Sequence, residues 1–236
     1  ILPIFDPGAG DFVGLSILNS DNHEREFTVT AISPDGHDVQ TGKASLRAGT
    51  QRVLLLTELF GATIAPSAEW LRIDSESNVC ASYLASADSV SLRGLEPASA
   101  GGATVYLPHV SVSTGFTELD HTDTRALIVN PGAAGASVTA ELFDLSGASK
   151  ASVDIPIPPR GSRSIRVSEE FGAALPDNNV GGKGFEGYIV LRSQVPVAAW
   201  QSIEAPLSRN TLRGRSLEEM HPSALSIIPH FAFGPN

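Results

Sequence analysis

The chain has 236 residues, enough for one large domain or two ordinary ones, with 42% apolar and only 18% charged side chains. Its formal charge of −10, from 26 acidic against 16 basic groups, disfavours phosphate backbones and anionic membrane surfaces, which call for clustered Lys and Arg. A single cysteine excludes an internal disulfide and a thiol metal cluster, and no apolar run approaches the roughly 18 residues of a spanning helix.

In chain order, the opening stretch "ILPIF" (1–5) and the apolar "GLSIL" (14–18) read as strands. In "EFTVTAIS", Phe27, Val29 and Ala31 fall on one face and Thr28 and Thr30 on the other. That period of two, in β-branched residues, predicts half-buried antiparallel strands. "SPDG", ending at Gly36, has hairpin-turn chemistry, and "LRAG" marks the next turn. Further strands are expected at 51–56, 70–75 and 78–85, with one helical turn at "LTELFG". Cys80 lies in the alternating run "NVCASYL", where a small buried side chain is expected.

After "LEPASAGGAT" (95–104) the pattern begins again. "VYLPHV" (105–110) matches the opening strand, "ALIVNPGAAGASVTAELFDLSG" (126–147) matches residues 14–36, and "SEEFG" (168–172) matches "TELFG" (57–61). Asn19 and Asn130 are 111 residues apart, as are Gly36 and Gly147, whereas Trp70 and Tyr188 are 118 apart. The spacing grows at the turn-rich segments 113–123 and 175–184, as expected if the insertions are surface loops. "LRG" recurs at 92–94 and 212–214, 120 residues apart. Second-copy strands are expected near 163–167, 187–192 and 195–203, and "SIIPHFAFG" (226–234) reads as the first strand of a third copy.

About seven short strands per copy, with turns every 8–12 residues, predict an all-β chain of two tandem Ig-like antiparallel β-sandwich domains of similar topology. The expected boundaries are 1–100 for the first sandwich and 101–225 for the second. Residues 226–236 would be the first strand of a truncated third repeat or a docking strand. There Ile227, Ile228, Phe231 and Phe233 are costly to leave exposed, so docking on the second copy or by strand addition to a neighbouring chain is expected. The chain begins at Ile1 without Met or a signal peptide, and is expected to be a soluble, processed or excised piece of something longer.

The order "LPHV…G…ALIVNPG…VTAELFD…G…IPPRGS…EEFG…GYIVLRSQVPVAAW" resembles the tandem β-sandwich repeats of bacterial secreted and cell-surface proteins, which often accompany fibronectin-III-like modules. The first copy departs from it, with Ile4 in place of the histidine and Ser20 in place of the proline after Asn19. The resemblance implies an extracellular or cell-surface module and carries over no catalytic residue.

Few side chains fall in a pattern that carries chemistry. Asp120, His121 and Asp123, in the segment specific to the second copy, gather nitrogen and oxygen donors without the spacing of a zinc motif. A solvated loop is the preferred reading, with calcium as the cation that its carboxylates would take. His109 and His230 share one repeat position, where an imidazole bonded to a strand or interdomain carbonyl is expected; His23 and His37 fall in turns. "GLSIL" lacks the second glycine of a nucleophile elbow, and "GAGDFVG" (8–14) has the wrong spacing for a dinucleotide loop. "SRNTLRGRS" (208–216) is a basic loop or a domain-interface segment, and Trp70, Tyr188 and Trp200 read as core or interface aromatics.

The expected function is therefore a non-catalytic structural or assembly module of a surface protein, stalk, adhesin or filament. No cofactor is expected, and the partners are neighbouring domains or copies of the same protein. The alternatives are a glycan- or protein-binding module, or an accessory region of a larger secreted enzyme.

Overall fold

The computed structural model describes residues 1–4, 12–76, 79–87, 91–114, 121–175, 184–205 and 208–216. The chain is all-β, with antiparallel pairing throughout the described strands. Its first half runs β1 (Leu2–Pro3), β2 (Phe12–Asn19), β3 (Arg25–Ile32), β4 (Asp38–Leu46), β5 (Gln51–Leu55), α1 (Leu56–Phe60), β6 (Trp70–Ser75), β7 (Val79–Ala87) and β8 (Ser91–Leu95). These strands make two four-stranded sheets, β1-β6-β3-β4 and β5-β2-β7-β8. Leu15 and Ile17 of β2 and Phe27, Val29 and Ala31 of β3 are buried in a common core, as their alternation predicts.

The second half runs β9 (Gly102–Thr114), β10 (His121–Val129), β11 (Ala136–Asp144), β12 (Ser149–Ile157), β13 (Ser162–Arg166), α2 (Val167–Glu170), a 3₁₀ turn (Gly172–Ala174), β14 (Phe185–Ala205), β15 (Ser208–Arg213) and β16 (Arg215–Ser216). Here one eight-stranded sheet, β12-β11-β14-β10-β9-β16, also carries β13 on β10 and β15 on β14. The 21-residue β14 makes this possible: its first part pairs with β11 and β9, and its last part with β10 and β15. Its pairing with β9 slips between Arg192 and Val197, at "SQVP", where Pro196 cannot donate to a ladder. The strands expected at 187–192 and 195–203 are thus one continuous strand. Among the described residues each half has eight strand segments, against the seven or so expected.

The two halves repeat in register. Ser16 lies opposite Val53 and Ser82; Leu127, 111 residues on from Ser16, lies opposite Ser164 and Trp200. Ile32 faces Trp70 as Phe143 faces Tyr188, and both hairpins carry an irregularity at the same step, Ala31/Ile32 and Leu142/Phe143. One sequence match does not carry through. Leu95 lies opposite Tyr83 as Leu212 lies opposite Gln201, so the structural offset is 117, and the two "LRG" triplets occupy different register positions. Both expected helical turns are present, at α1 and α2.

Two buried asparagines fix the same corner in each half. Asn19 donates from Nδ2 to the carbonyls of His23 and Leu46, at 2.9 and 3.0 Å, and its Oδ1 accepts from the Asp21 N–H at 3.0 Å. Asn130 does the same with Ala134 and Pro158, at 2.7 and 3.0 Å, and with the Gly132 N–H at 3.0 Å. One amide side chain thus ties the β2–β3 or β10–β11 turn to the loop before β5 or β13, satisfying backbone groups that burial would otherwise strand.

Candidate functional site

The sequence-predicted donors do not converge. Asp120 lies outside the described residues, and His121 is exposed at the start of β10. Asp123 is buried, and its carboxylate is committed elsewhere. It accepts from the Ser168 Oγ at 2.6 Å, the Ser168 N–H at 3.2 Å and the Thr124 N–H at 2.8 Å, with Arg166 at 3.6 Å. Asp123 therefore anchors the start of α2 to β10, a role for which Phe12, at the same position of the first half, has no chemistry. Among the described residues no three His, Cys, Asp or Glu side chains gather as a metal set.

The His109 ring is exposed, and the residue's own carbonyl is the bonded group, accepting from Gln201 Nε2. The expected imidazole–carbonyl bond is replaced by a backbone role, because the strand turns the ring outward. His23 and His37 are exposed in their turns. His230 and the docking residues Ile227, Ile228, Phe231 and Phe233 lie outside the described residues, as does the side chain of Cys80.

What the fold does assemble is a contact between the halves. In β10, Ala126 and Ile128 point into the second-half core, while Leu127 and Val129 join the core of the first half. In β14, Val197 and Ala199 face inward while Ala198 and Trp200 face the first half. This explains why "ALIV" and "VAAW" are continuous apolar runs: both faces of these strands are buried. The first half meets this surface with the tip of its β3–β4 hairpin and the adjoining start of β6, where Ile32 and Trp70 are fully buried.

A polar rim surrounds the apolar centre. The Ser162 N–H donates to the Pro34 carbonyl at 2.8 Å, and the Ser162 hydroxyl donates to the Glu69 carboxylate. Trp200 Nε1 donates to the Glu96 carbonyl at 3.3 Å, and Arg213 donates to the Pro97 carbonyl at 3.1 Å. Arg215 pairs with Glu96 at 2.9 Å, and Arg160 pairs with Asp38. Arg160 is the non-glycine residue of the described chain with positive φ, 55°, at the position where the first half has Gly49 at 63°. Left-handed backbone disfavours side chains with a Cβ, so a guanidinium is held across the contact at some local cost. Gly36, at φ 88°, packs so closely on the Pro159 carbonyl that a Cβ there would collide with it.

Among the described residues, the surfaces corresponding to the two sides of this contact carry exposed apolar side chains. The outer face of β5-β2-β7-β8 carries Leu18, Val53 and Leu55 at 37%, 58% and 37% exposure. The β11–β12 tip carries Leu145 at 74% exposure, beside a stacked pair, Phe143 and Tyr188, with ring centroids 5.0 Å apart. Beneath Leu145, Asp144 closes the turn. The Lys150 ammonium 2.6 Å away, the Ser146 hydroxyl and the Ala148 N–H hold its carboxyl well below the usual carboxylate range.

A second surface is a groove of about 580 Å³ on β11, β12 and the bend of β14, lined by Ser137, Thr139, Asp154, Arg192, Gln194 and Val195. Thr139 donates to Asp154 at 2.7 Å, and just beyond the groove Arg192 pairs with Glu141 at 2.7 Å.

No family model and no curated protein matches this chain. Among solved structures, it is similar to Thermotoga maritima 1070 at 17% identity and TM-score 0.39, over 51% of this chain and 98% of that one. It is also similar to the Anabaena sensory rhodopsin transducer at 15% identity and TM-score 0.32, over 42% of this chain and 80% of that one.

Proposed function

We propose that the chain is a non-catalytic structural module of an extracellular or cell-surface protein, made of two tandem Ig-like sandwich units locked into one rigid body. The observation that carries this reading is the shared core: Leu127, Val129, Ala198 and Trp200 of the second half are buried with the first-half cluster. Domains on a flexible linker keep a small, polar contact between them. An apolar centre with a charged rim instead transmits bending and tension from one unit to the next, as a stalk or filament element must. The commitment of Asp123 to holding α2 fits the same reading, since it removes from solvent the carboxylate best placed for chemistry. The test is urea unfolding followed by a probe in each half. The two probes are expected to report one coincident transition, and separate transitions would remove the rigid-body reading.

A second reading, a glycan- or protein-binding module, draws on the groove at β11, β12 and β14, which presents Ser137, Thr139 and Arg192 together. Glycan-array binding that is lost in Arg192→Ala would favour it.

A further inference from the structure

We infer that the open tip of the second repeat docks onto the outer β5-β2 face of the first repeat of another copy of this chain, in a head-to-tail contact like the one inside the chain. The inference rests on the structural-module reading and supplies its partner.

The strands that receive the first-half tip, β10 and β14, correspond residue by residue to β2 and β7, and β13 corresponds to β5. The first repeat therefore owns a face with the same strand pairing and, among the described residues, no tip on it, although Ser16 and Ser82 stand there where the second repeat has Leu127 and Trp200. The composition of that face is not that of a strand turned to water. On β13 the outward positions are Ser164 and Arg166, flanking the buried Ile165. On β5 the corresponding outward positions are Val53 and Leu55, flanking the buried Leu54. Leu18 of β2 adds a third exposed apolar side chain beside them. A sheet with one solvated face alternates apolar and polar residues, and β13 obeys that rule where β5 breaks it.

The complementary half is equally unpartnered. In the first repeat the tip is covered except at Pro34 and Asp35, which stay exposed: Ile32, Ser33, Gly36 and Trp70 are all buried. Their counterparts Phe143, Asp144, Gly147 and Tyr188 are partly or fully exposed, and Leu145, at the position of Pro34, is mostly in solvent. Four of the five large exposed apolar side chains among the described residues thus lie on these two surfaces, Leu18, Val53 and Leu55 on the face and Leu145 on the tip, and the equivalent of Leu18, Val129, is buried in the contact within the chain. The two surfaces differ from one another, so the contact is heterologous and adds copies in one direction.

Sedimentation velocity on the full chain over a concentration series tests this, with two variants. Val53→Ser with Leu55→Arg gives the face the residues that the second repeat itself uses, which guards against misfolding, and Leu145→Asp charges the tip. The intact chain is expected to self-associate, and each variant to do so at least about tenfold more weakly. An equimolar mixture of the two is expected to form a heterodimer and nothing larger, because each variant keeps the surface that the other lacks. A monomeric wild type at high concentration overturns the contact. So do variants that associate like wild type, or a mixture that stays monomeric. Association that survives both variants but disappears on deleting 226–236 overturns it in favour of strand addition by that segment. A monomeric chain whose halves still unfold together would remove this contact and leave the structural-module reading standing.

Discussion

Replacing Trp200 by alanine should be the costliest single truncation on the second-half side of the contact between the halves. The side chain is fully buried and belongs to the first-half cluster rather than to the core of its own repeat. An indole removes about 250 Å² from water, which at about 25 cal/mol per Å² is about 6 kcal/mol. Alanine keeps a little of that, and a compact unfolded chain already hides roughly 10–40% of its surface. The expected loss is therefore about 3–5 kcal/mol, the usual span for such truncations. The 3.3 Å bond from Nε1 to the Glu96 carbonyl is long and adds at most about 1 kcal/mol. The measurement is convenient because the chain has two tryptophans and Trp70 lies in the same cluster. In the variant, Trp70 fluorescence reports the first half alone while far-UV circular dichroism reports both. Urea unfolding should show the Trp70 transition moving to lower denaturant and separating from the dichroism curve. A shift worth less than about 0.5 kcal/mol, the ordinary effect of a surface change, with the two curves still coincident, would refute a role for Trp200 in joining the halves.

Gly36→Ala and Gly147→Ala form a matched pair, since both turns have φ near 85°, 88° and 83°. Both should lose about 1–2 kcal/mol for left-handed backbone, but Gly36→Ala should lose clearly more, because its Cβ meets the Pro159 carbonyl whereas the nearest atom at Gly147 is Tyr188 Oη at 3.9 Å; equal losses by thermal melts would contradict the contact. Asn130→Ala should destabilise by about 2–3 kcal/mol in urea titrations, because it strands the Ala134 and Pro158 carbonyls and the Gly132 N–H in a part-buried corner. Lys150→Ala should raise the Asp144 pKa toward its ordinary value in an NMR titration. With a depressed folded-state pKa, whatever Asp144 contributes is present above the unfolded carboxylate value and is lost as pH falls below it, so the variant should flatten any stability change in that acid window.

The repeat was legible because it was written in apolar spacing and turn residues, the two features that local physics fixes most firmly. "EFTVTAIS" and "ASVTAELF" alternate because one face of each strand is buried, and the 111-residue offset survives as identical pairings of Ser16 and Leu127. The merging of two expected strands into β14 was not legible. "SQVP" has turn chemistry, yet the chain there slips register by a few residues and continues, held by β9 and β11 on either side. The recurrence of "LRG" misled because three residues can match by composition while the ladder is set by what lies opposite, Tyr83 and Gln201. The contact surface left a signal that can be read in hindsight, the unbroken runs "ALIV" and "VAAW" where alternation should have held. His109 left none, because its bonded group is a carbonyl that every residue possesses.

The order in which the contact is made has a consequence for synthesis. The tip of the first repeat, with Ile32 and Trp70, shares its cluster with residues that come much later in the chain, from Leu127 to Trp200. At about 5–20 residues per second, a ribosome needs roughly 5–20 s to add the stretch from Ala98 to Trp200. Through that interval the first repeat can pair all its own strands while its largest aromatic still lacks a cover. The nascent chain therefore passes through a stage that is folded yet adhesive at one end. Whatever reaches Trp70 first, the later residues of the same chain or a neighbour on the same message, decides between a finished module and a tangled one.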